Sequence, residues 1–333
     1  MANVLVTGGA GFLGARLSRQ LLAAGTIQVA GGEPEVLTRL TIADSAAPPP
    51  GLAADDRVSV LSGDLADLLA GHAAGTEAVA EADVVFHLAA AVSGECEADF
   101  DLGMHANVRA THALLESCRT AAAKPVVVFA SSLAVFGASP EHPLPAVVDD
   151  QTMPNPQTSY GAQKVICEQL LADYTRKGFL RGRAVRLMTV SVRPGQPNAA
   201  ASGFLSGIIR EPLAGQRAIC PVAPQTEVAL ASPSSAVSGL LRAATASARD
   251  WGDRTPVNLP ALSVTLAEMA AALERVAGPE VSGLIDWIPD PAVAAIVTSW
   301  PSRFRSERAA RLGMQADPDF AAIIAMHMAE TGA

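Results

Sequence analysis

Thr7-Gly8-Gly9-Ala10-Gly11-Phe12-Leu13-Gly14 is the stretch that decides the fold. It follows an apolar, β-branched run, Asn3–Thr7, and opens a stretch of helical spacing, Phe12–Ala24. In a strand–turn–helix unit each glycine has its own task. Gly8 permits the tight turn, Gly11 admits close approach to a pyrophosphate, and Gly14 lets the helix pack against the sheet. The open N–H groups and positive dipole end at Phe12 and Leu13 then face the phosphates. A glycine triplet alone is weak evidence; its place between strand and helix is what predicts a dinucleotide site.

Working outward, Arg39–Ala43, Arg57–Leu61, Asp83–Leu88, Pro125–Ala130 and Arg183–Val190 read as further strands. Several are apolar throughout, as expected of strands buried on both faces. Asn107–Ala122 and Ser159–Lys177 have helical spacing. The alternation predicts an α/β fold, a doubly wound parallel sheet with right-handed crossovers. Residues 1–190 are expected to form the Rossmann-type, dinucleotide-binding domain. Past Val190 the regularity fades, with Pro194, Pro197, Pro212, Pro221 and Pro224 interrupting it. Helical patterns over Ala236–Ala248, Leu266–Ala277 and Phe320–Ala329 alternate there with short strand-like pieces. Residues 191–333 therefore read as a smaller C-terminal lobe that mainly binds substrate.

Composition narrows the function classes. The chain has 333 residues, of which 50% are hydrophobic and 17% charged, so it has ample apolar surface to bury. A net charge of −9 argues against a nucleic-acid partner, which needs a basic surface. No apolar run reaches the roughly 18 residues of a membrane span, and the first strand begins without a charged leader. Cys96, Cys118, Cys167 and Cys220 are scattered without Cys-x-x-Cys spacing and read as reduced thiols of a cytoplasmic protein. His105, His112, His142 and His327 lack ligand spacing, and no metal is expected.

Asp44 ends the second strand pattern, Leu40-Thr41-Ile42-Ala43-Asp44. A carboxylate there accepts hydrogen bonds from the adenosine ribose hydroxyls and repels a 2′-phosphate, so NAD is expected over NADP. Asp44 stands further downstream than the usual ~20 residues, and an insertion around Gly31-Gly32-Glu33-Pro34 accounts for the excess. Asp64 and Leu65, after the third strand, are placed at the adenine.

Tyr160-Gly161-Ala162-Gln163-Lys164 sets a phenol and an ammonium at i and i+4, on one face of a helix. Phenol is a poor base at neutral pH, and a nearby cation stabilises the phenolate that proton transfer requires. That spacing is common on solvated helices, so its company decides. Ala130-Ser131-Ser132-Leu133-Ala134-Val135-Phe136-Gly137 puts hydroxyls at the carboxyl end of the fifth strand, where doubly wound sheets bind ligands.

Glycine turn, Ser-Ser-x-x-Val-Phe-Gly and Tyr-x-x-x-Lys, in this order, resemble the extended branch of the short-chain dehydrogenases/reductases, the NAD-dependent epimerase/dehydratase family. The resemblance covers at least the first 195 residues. It implies that Ser132 bonds the reacting oxygen, Tyr160 exchanges the proton, and Lys164 supports the phenolate and holds the nicotinamide ribose. Asn107, in Asn107-Val108-Arg109-Ala110-Thr111, matches the family Asn that positions a water and the Lys. Leu88, Ala89 and Ala90, in His87-Leu88-Ala89-Ala90, border the cofactor in place of the common Asn-Ala-Gly turn. Pairing of the helices at 107–122 and 159–177 into a homodimer is implied as well.

Ala91–Glu95, Val192–Gly195, Pro197–Phe204 and Ile209–Leu213 extend the resemblance over nearly the whole chain, to the D-erythronate dehydrogenases within that branch. This implies NAD-dependent oxidation of a small sugar acid at its C2 hydroxyl, giving the 2-oxo acid. Arg193 is then the expected carboxylate clamp, with Ser93, Ser132, Thr189, Asn198 and Ser202 at the substrate hydroxyls. Met188 departs from the pattern, which has Pro at that place. Thr189 stands where sugar-nucleotide epimerases usually carry Asn. The competing readings are a nucleotide-sugar epimerase or dehydratase, a ketoreductase, and a non-catalytic NAD(H)-binding sensor.

Overall fold

The computed structural model describes residues 1–71, 73–195 and 202–332. Its main sheet has eight strands: β1 (Ala2–Thr7), β2 (Thr26–Gln28), β3 (Pro34–Asp44), β4 (Val58–Ser62), β5 (Val84–His87), β6 (Val126–Ser132), β7 (Arg181–Leu187) and β8 (Val257–Asn258). The parallel order is β8-β7-β6-β5-β1-β3-β4. Strand order reverses at β1, so β1 and β5 diverge to their crossovers at the topological switch point, where such sheets bind ligands. The doubly wound architecture is thus the one the sequence predicts.

Period-2 alternation divides the buried strand residues between two cores. Val4, Val6, Val84, Phe86, Val126 and Val128 face one side, against Leu17 and Leu21 of the first helix and Val237 and Leu240 of the helix Pro233–Thr245. Leu5, Val85, Val127 and Phe129 face the other, against Leu114, Leu115, Cys118, Cys167 and Leu171. Both faces being covered explains why these strands read as continuous apolar runs.

The extra residues before Asp44 form a hairpin. β2 pairs antiparallel with Pro34–Val36, at the start of a β3 that runs for 11 residues. Ala30 and Gly31 carry positive φ in the connecting turn.

Two elements differ from expectation. Arg183–Val190 is not one strand. β7 ends at Leu187 beside Ser132, the last residue of β6, and Thr189–Val190 pairs instead with Glu227–Ala231 in a three-stranded sheet completed by Leu262–Thr265. Met188 is the crossing between the two sheets, because β6 offers no backbone partner beyond Ser132. Likewise, the helix at Asn107 begins as a π-helical turn, Met104–Arg109, before the regular helix Ala110–Thr120. Such wide turns are frequent at functional sites.

The rest of the lobe has its own core, built on Leu205, Ile208, Ile209, Leu230, Met269, Leu273, Phe320 and Ile324. Its helix Leu266–Ala277 starts in a reciprocal cap: Thr265 accepts the Glu268 N–H and Glu268 accepts the Thr265 N–H. Residues 257–258 nevertheless return to the main sheet as β8, so the chain crosses between sheet and lobe more than once.

Candidate active site

The glycine turn leaves no space except where a ligand would need it. Gly8 has φ +71°, and a Cβ there would stand 2.6 Å from the Ala89 nitrogen. On Gly14 it would meet the Gly8 carbonyl oxygen at 2.1 Å. The helix Phe12–Ala24 begins at Gly11 with no side-chain cap and no acidic residue in its first turn. Its first N–H groups and positive dipole end can therefore receive an anion, and this fits a dinucleotide pyrophosphate. Asp44 braces the same turn, accepting the Ala10 N–H at 2.9 Å and the Ala46 N–H at 3.0 Å.

From this turn a cavity of ≈ 310 Å³ runs to the ends of β6 and β7. Gly8, Gly11, Phe12, Leu13, Gly14, Leu88 and Ala90 line it at one end, and Ser93, Ser132, Tyr160, Lys164, Thr189, Arg193 and Ser202 further along. Asp44, Asp64, Leu65, Ala89 and Asn107 stand outside that lining. Asn198 lies outside the described residues. Met188, whose departure from the family pattern puts it near the expected pocket, also lines the cavity; Val92, Leu133 and Trp300 line it too, and sequence reasoning does not place them there. Trp300 has no local signal, because folding alone brings a residue so far down the chain to the β6 edge.

Thr158 caps the helix Ser159–Arg176 through the Gly161 N–H at 3.1 Å, which sets Tyr160 in the first turn with Lys164 one turn on. Lys164 is buried and donates to the Ala130 carbonyl at 2.9 Å. Its ammonium lies 5.5 Å from the Tyr160 ring centre and 4.7 Å from that of Phe129. Ser132 is half-buried and accepts the Ala134 N–H at 3.1 Å, so its own proton is available for another acceptor. Ser131 is occupied elsewhere. It donates to Glu168 at 2.5 Å, and Glu168 in turn holds Arg186 in a buried two-bond pair at 2.8 and 2.9 Å.

Asn107 is buried in the wide turn. Its amide oxygen takes the Ala91 N–H at 2.8 Å, and its NH₂ reaches Gln163 at 2.7 Å. It thereby ties the turn after β5 to the Tyr160 helix. The Asn107 carbonyl accepts the Thr111 hydroxyl at 2.5 Å, which leaves Thr111 to accept from His87 Nε2 at 2.8 Å. His87 Nδ1 then accepts from Thr7 at 2.6 Å. Burial holds this imidazole neutral, its pKa pushed down to about 3, and the nearby Lys164 charge pushes the same way. Asp64 caps the short helix Leu65–Leu69 through the Ala66 and Asp67 N–H groups and lies 3.1 Å from His105 Nε2.

Arg193 brings the second cation. Its Nε donates to the Val190 carbonyl at 3.0 Å and an Nη to the Ser202 hydroxyl at 3.1 Å. Burial lowers the guanidinium pKa below its ordinary value, opposed by the nearby Tyr160. Among the described residues no carboxylate forms an ion pair with Arg193 or Lys164. Among the described residues, a chain of net charge −9 thus keeps two cations without counter-charges around one tyrosine. Such a site can hold an anionic substrate and move a proton at a hydroxyl beside it.

Among known proteins, residues 4–239 match the model of the NAD dependent epimerase/dehydratase family. A D-erythronate dehydrogenase of Cupriavidus necator is 51% identical over 331 residues, covering 99% of each chain. One from Haemophilus influenzae is 39% identical over 97% of each. In structure, a nucleoside-diphosphate-sugar epimerase from Agrobacterium tumefaciens superposes with a TM-score of 0.89 at 39% identity, over 99% of this chain and 95% of that one. The glycine turn, the end of β6 and the Tyr160–Lys164 helix all lie within the matched span, and the chain belongs to the NAD dependent epimerase/dehydratase family.

Proposed function

We propose that the protein oxidises a short sugar acid, D-erythronate or a close relative, at the C2 hydroxyl to the 2-oxo acid. The observation that carries this reading is Arg193, a cation without a carboxylate partner among the described residues, in one cavity with Ser132 and Tyr160. The names of the Cupriavidus and Haemophilus relatives support it. When bound, NAD supplies the hydride acceptor. Gly8, Gly11 and Gly14 would hold it with the open helix start, Asp44 at the ribose, Asp64 and Leu65 at the adenine, and Leu88, Ala89 and Ala90 alongside.

On this reading Arg193 anchors the substrate carboxylate through its planar donors. Ser93, Thr189 and Ser202 meet the hydroxyls. Ser132 donates to the oxygen at C2 and fixes it beside Tyr160. The Tyr160 phenolate accepts the hydroxyl proton as the C–H bond breaks, with the Lys164 ammonium stabilising the phenolate beforehand. Asn107 acts through others, holding the turn after β5 against this helix. The protein contributes position and charge, and position alone is a large part of such catalysis.

The name of the Agrobacterium protein favours a second reading, epimerisation of a sugar nucleotide. Against it stand the two D-erythronate dehydrogenase relatives, matched over nearly the whole chain at 51% and 39% identity. Supplying NAD with D-erythronate, L-threonate and a panel of uridine-diphosphate sugars separates the two. Net NADH from a four-carbon acid supports the dehydrogenase. Interconversion of a sugar nucleotide without net NADH rejects it.

A homodimer through the helices at 107–122 and 159–177 belongs to the same proposal. Phe100, Leu102 and Ile166 are exposed on or beside these elements, with Phe100 at 61%, which supports a partner surface there. Light scattering on the purified protein reads the mass directly. Residence in the cytoplasm is likewise proposed, from four free, buried cysteines.

A further inference from the structure

Trp300 is half-buried and packs against both the sheet core and the lobe core. It lines the active-site cavity and also a second, much smaller void of ≈ 10 Å³. Leu133 and Thr189 are the other residues common to both. Leu133 follows Ser132, and Thr189 follows the sheet crossing at Met188, so this shared wall lies at the substrate end and not along the glycine turn. Behind it the small void is lined by the apolar side chains Leu205, Val228, Ala229, Val297 and Pro301 and by Glu227, whose carboxylate is already held by Ser302 and Arg303.

The wall is held from several sides. The Ser299 carbonyl accepts the Ala138 N–H at 3.2 Å, from the loop after Ser132. Ser302 donates to Glu227 at 2.8 Å, and Arg303 pairs with the same carboxylate at 2.8 Å. Phe304–Arg305 then forms a parallel pair with Val148–Asp149. An indole fixed on both sides of its own segment acts as a rigid partition.

We propose that Trp300 determines the length of the acid the site accepts: with the carboxylate at Arg193 and C2 at Ser132 and Tyr160, the indole stops the carbon chain. This rests on the sugar-acid reading above. A smaller side chain joins the two voids and admits longer acids.

The test compares kcat/KM for D-erythronate and for D-allonate, a six-carbon acid with the same configuration at C2 and C3, in the unsubstituted enzyme and in Trp300→Phe, Trp300→Leu and Trp300→Ala. The preference for four carbons is expected to fall at least about tenfold from Trp to Ala, through the allonate KM, with Phe and Leu between. The Kd for NADH, read by fluorescence, stays within about twofold, which a general loss of structure would not allow. If Trp300→Ala fails to fold, the order Trp, Phe, Leu decides the same question. An unchanged preference along that series overturns the assignment to Trp300 while the sugar-acid reading stands. Failure of the unsubstituted enzyme to oxidise either acid overturns both.

Discussion

The sheet half and the C-terminal lobe supply the same cavity by different means. In the sheet half every functional side chain sits at a position that local pattern defines: a turn after β1, the end of β6, the first turn of a capped helix. In the lobe, Arg193, Ser202 and Trp300 arrive from segments between elements, and packing alone brings them to Ser132. On the proposed function, chemistry is built on strand and helix ends, which place a proton donor closely, and substrate choice falls to the segments of the lobe. The expected division is that sheet-half substitutions act on turnover for any substrate, and lobe substitutions act on affinity and on which substrate enters.

Removing the Tyr160 hydroxyl gives the largest effect. Tyr160→Phe should lower kcat by about 10²–10⁴-fold, the range of general acid–base catalysis, with the NADH Kd unchanged. Residual turnover within tenfold of the parent would take proton transfer away from Tyr160. The buried Glu168–Arg186 pair beneath Ser131 comes next, its side chains 0% and 6% exposed. Glu168→Gln leaves a buried guanidinium unpaired and should destabilise the protein by roughly 3–5 kcal/mol in urea unfolding. No change in the urea midpoint would show that this pair does not anchor the β6 end.

On the lobe side, Arg193→Met should raise the KM for D-erythronate about 10- to 100-fold, the worth of a charged hydrogen bond, and leave kcat within a few-fold. A fall in kcat at constant KM would break the division between the halves. Asp44→Asn should relax the preference for NAD over NADP by about tenfold, and equal affinities in the parent would remove Asp44 from the ribose.

A pH effect on stability concerns His87. Its folded pKa of about 3 lies below the ordinary 6.5, so the unfolded chain binds a proton that the folded chain refuses. Stability from this group is full above about pH 6.5 and is lost as pH falls toward 3, at up to about 1.4 kcal/mol per pH unit. The parent should therefore lose more stability than His87→Gln between about pH 7 and about pH 5. Equal losses would contradict a neutral buried imidazole.

Legibility follows the same boundary. The glycine turn, the apolar strands and Tyr160–Lys164 rest on spacing a few residues long, and local sequence reports that directly. Arg183–Val190 reads as one strand because its β-branched residues, Val185, Thr189 and Val190, are spread along a run without Gly or Pro. The break at Met188 depends on where the neighbouring strand stops, which no local pattern encodes. Asn107 is legible by motif, yet helical spacing does not distinguish the wide turn Met104–Arg109 that buries it from a regular helix. Trp300 is invisible in the sequence for the reason that makes it useful: its contacts come from two cores that the chain assembles only on folding.

Hydride removal from C2 of a sugar acid is the central claim, and D-erythronate carrying deuterium at C2 tests it most directly. Mass spectrometry of the reduced cofactor and of the product after limited turnover locates the label. Deuterium in the nicotinamide ring and a label-free 2-oxo acid is the predicted result. Unlabelled NADH with deuterium retained in the product, or no reduced cofactor at all, would contradict it.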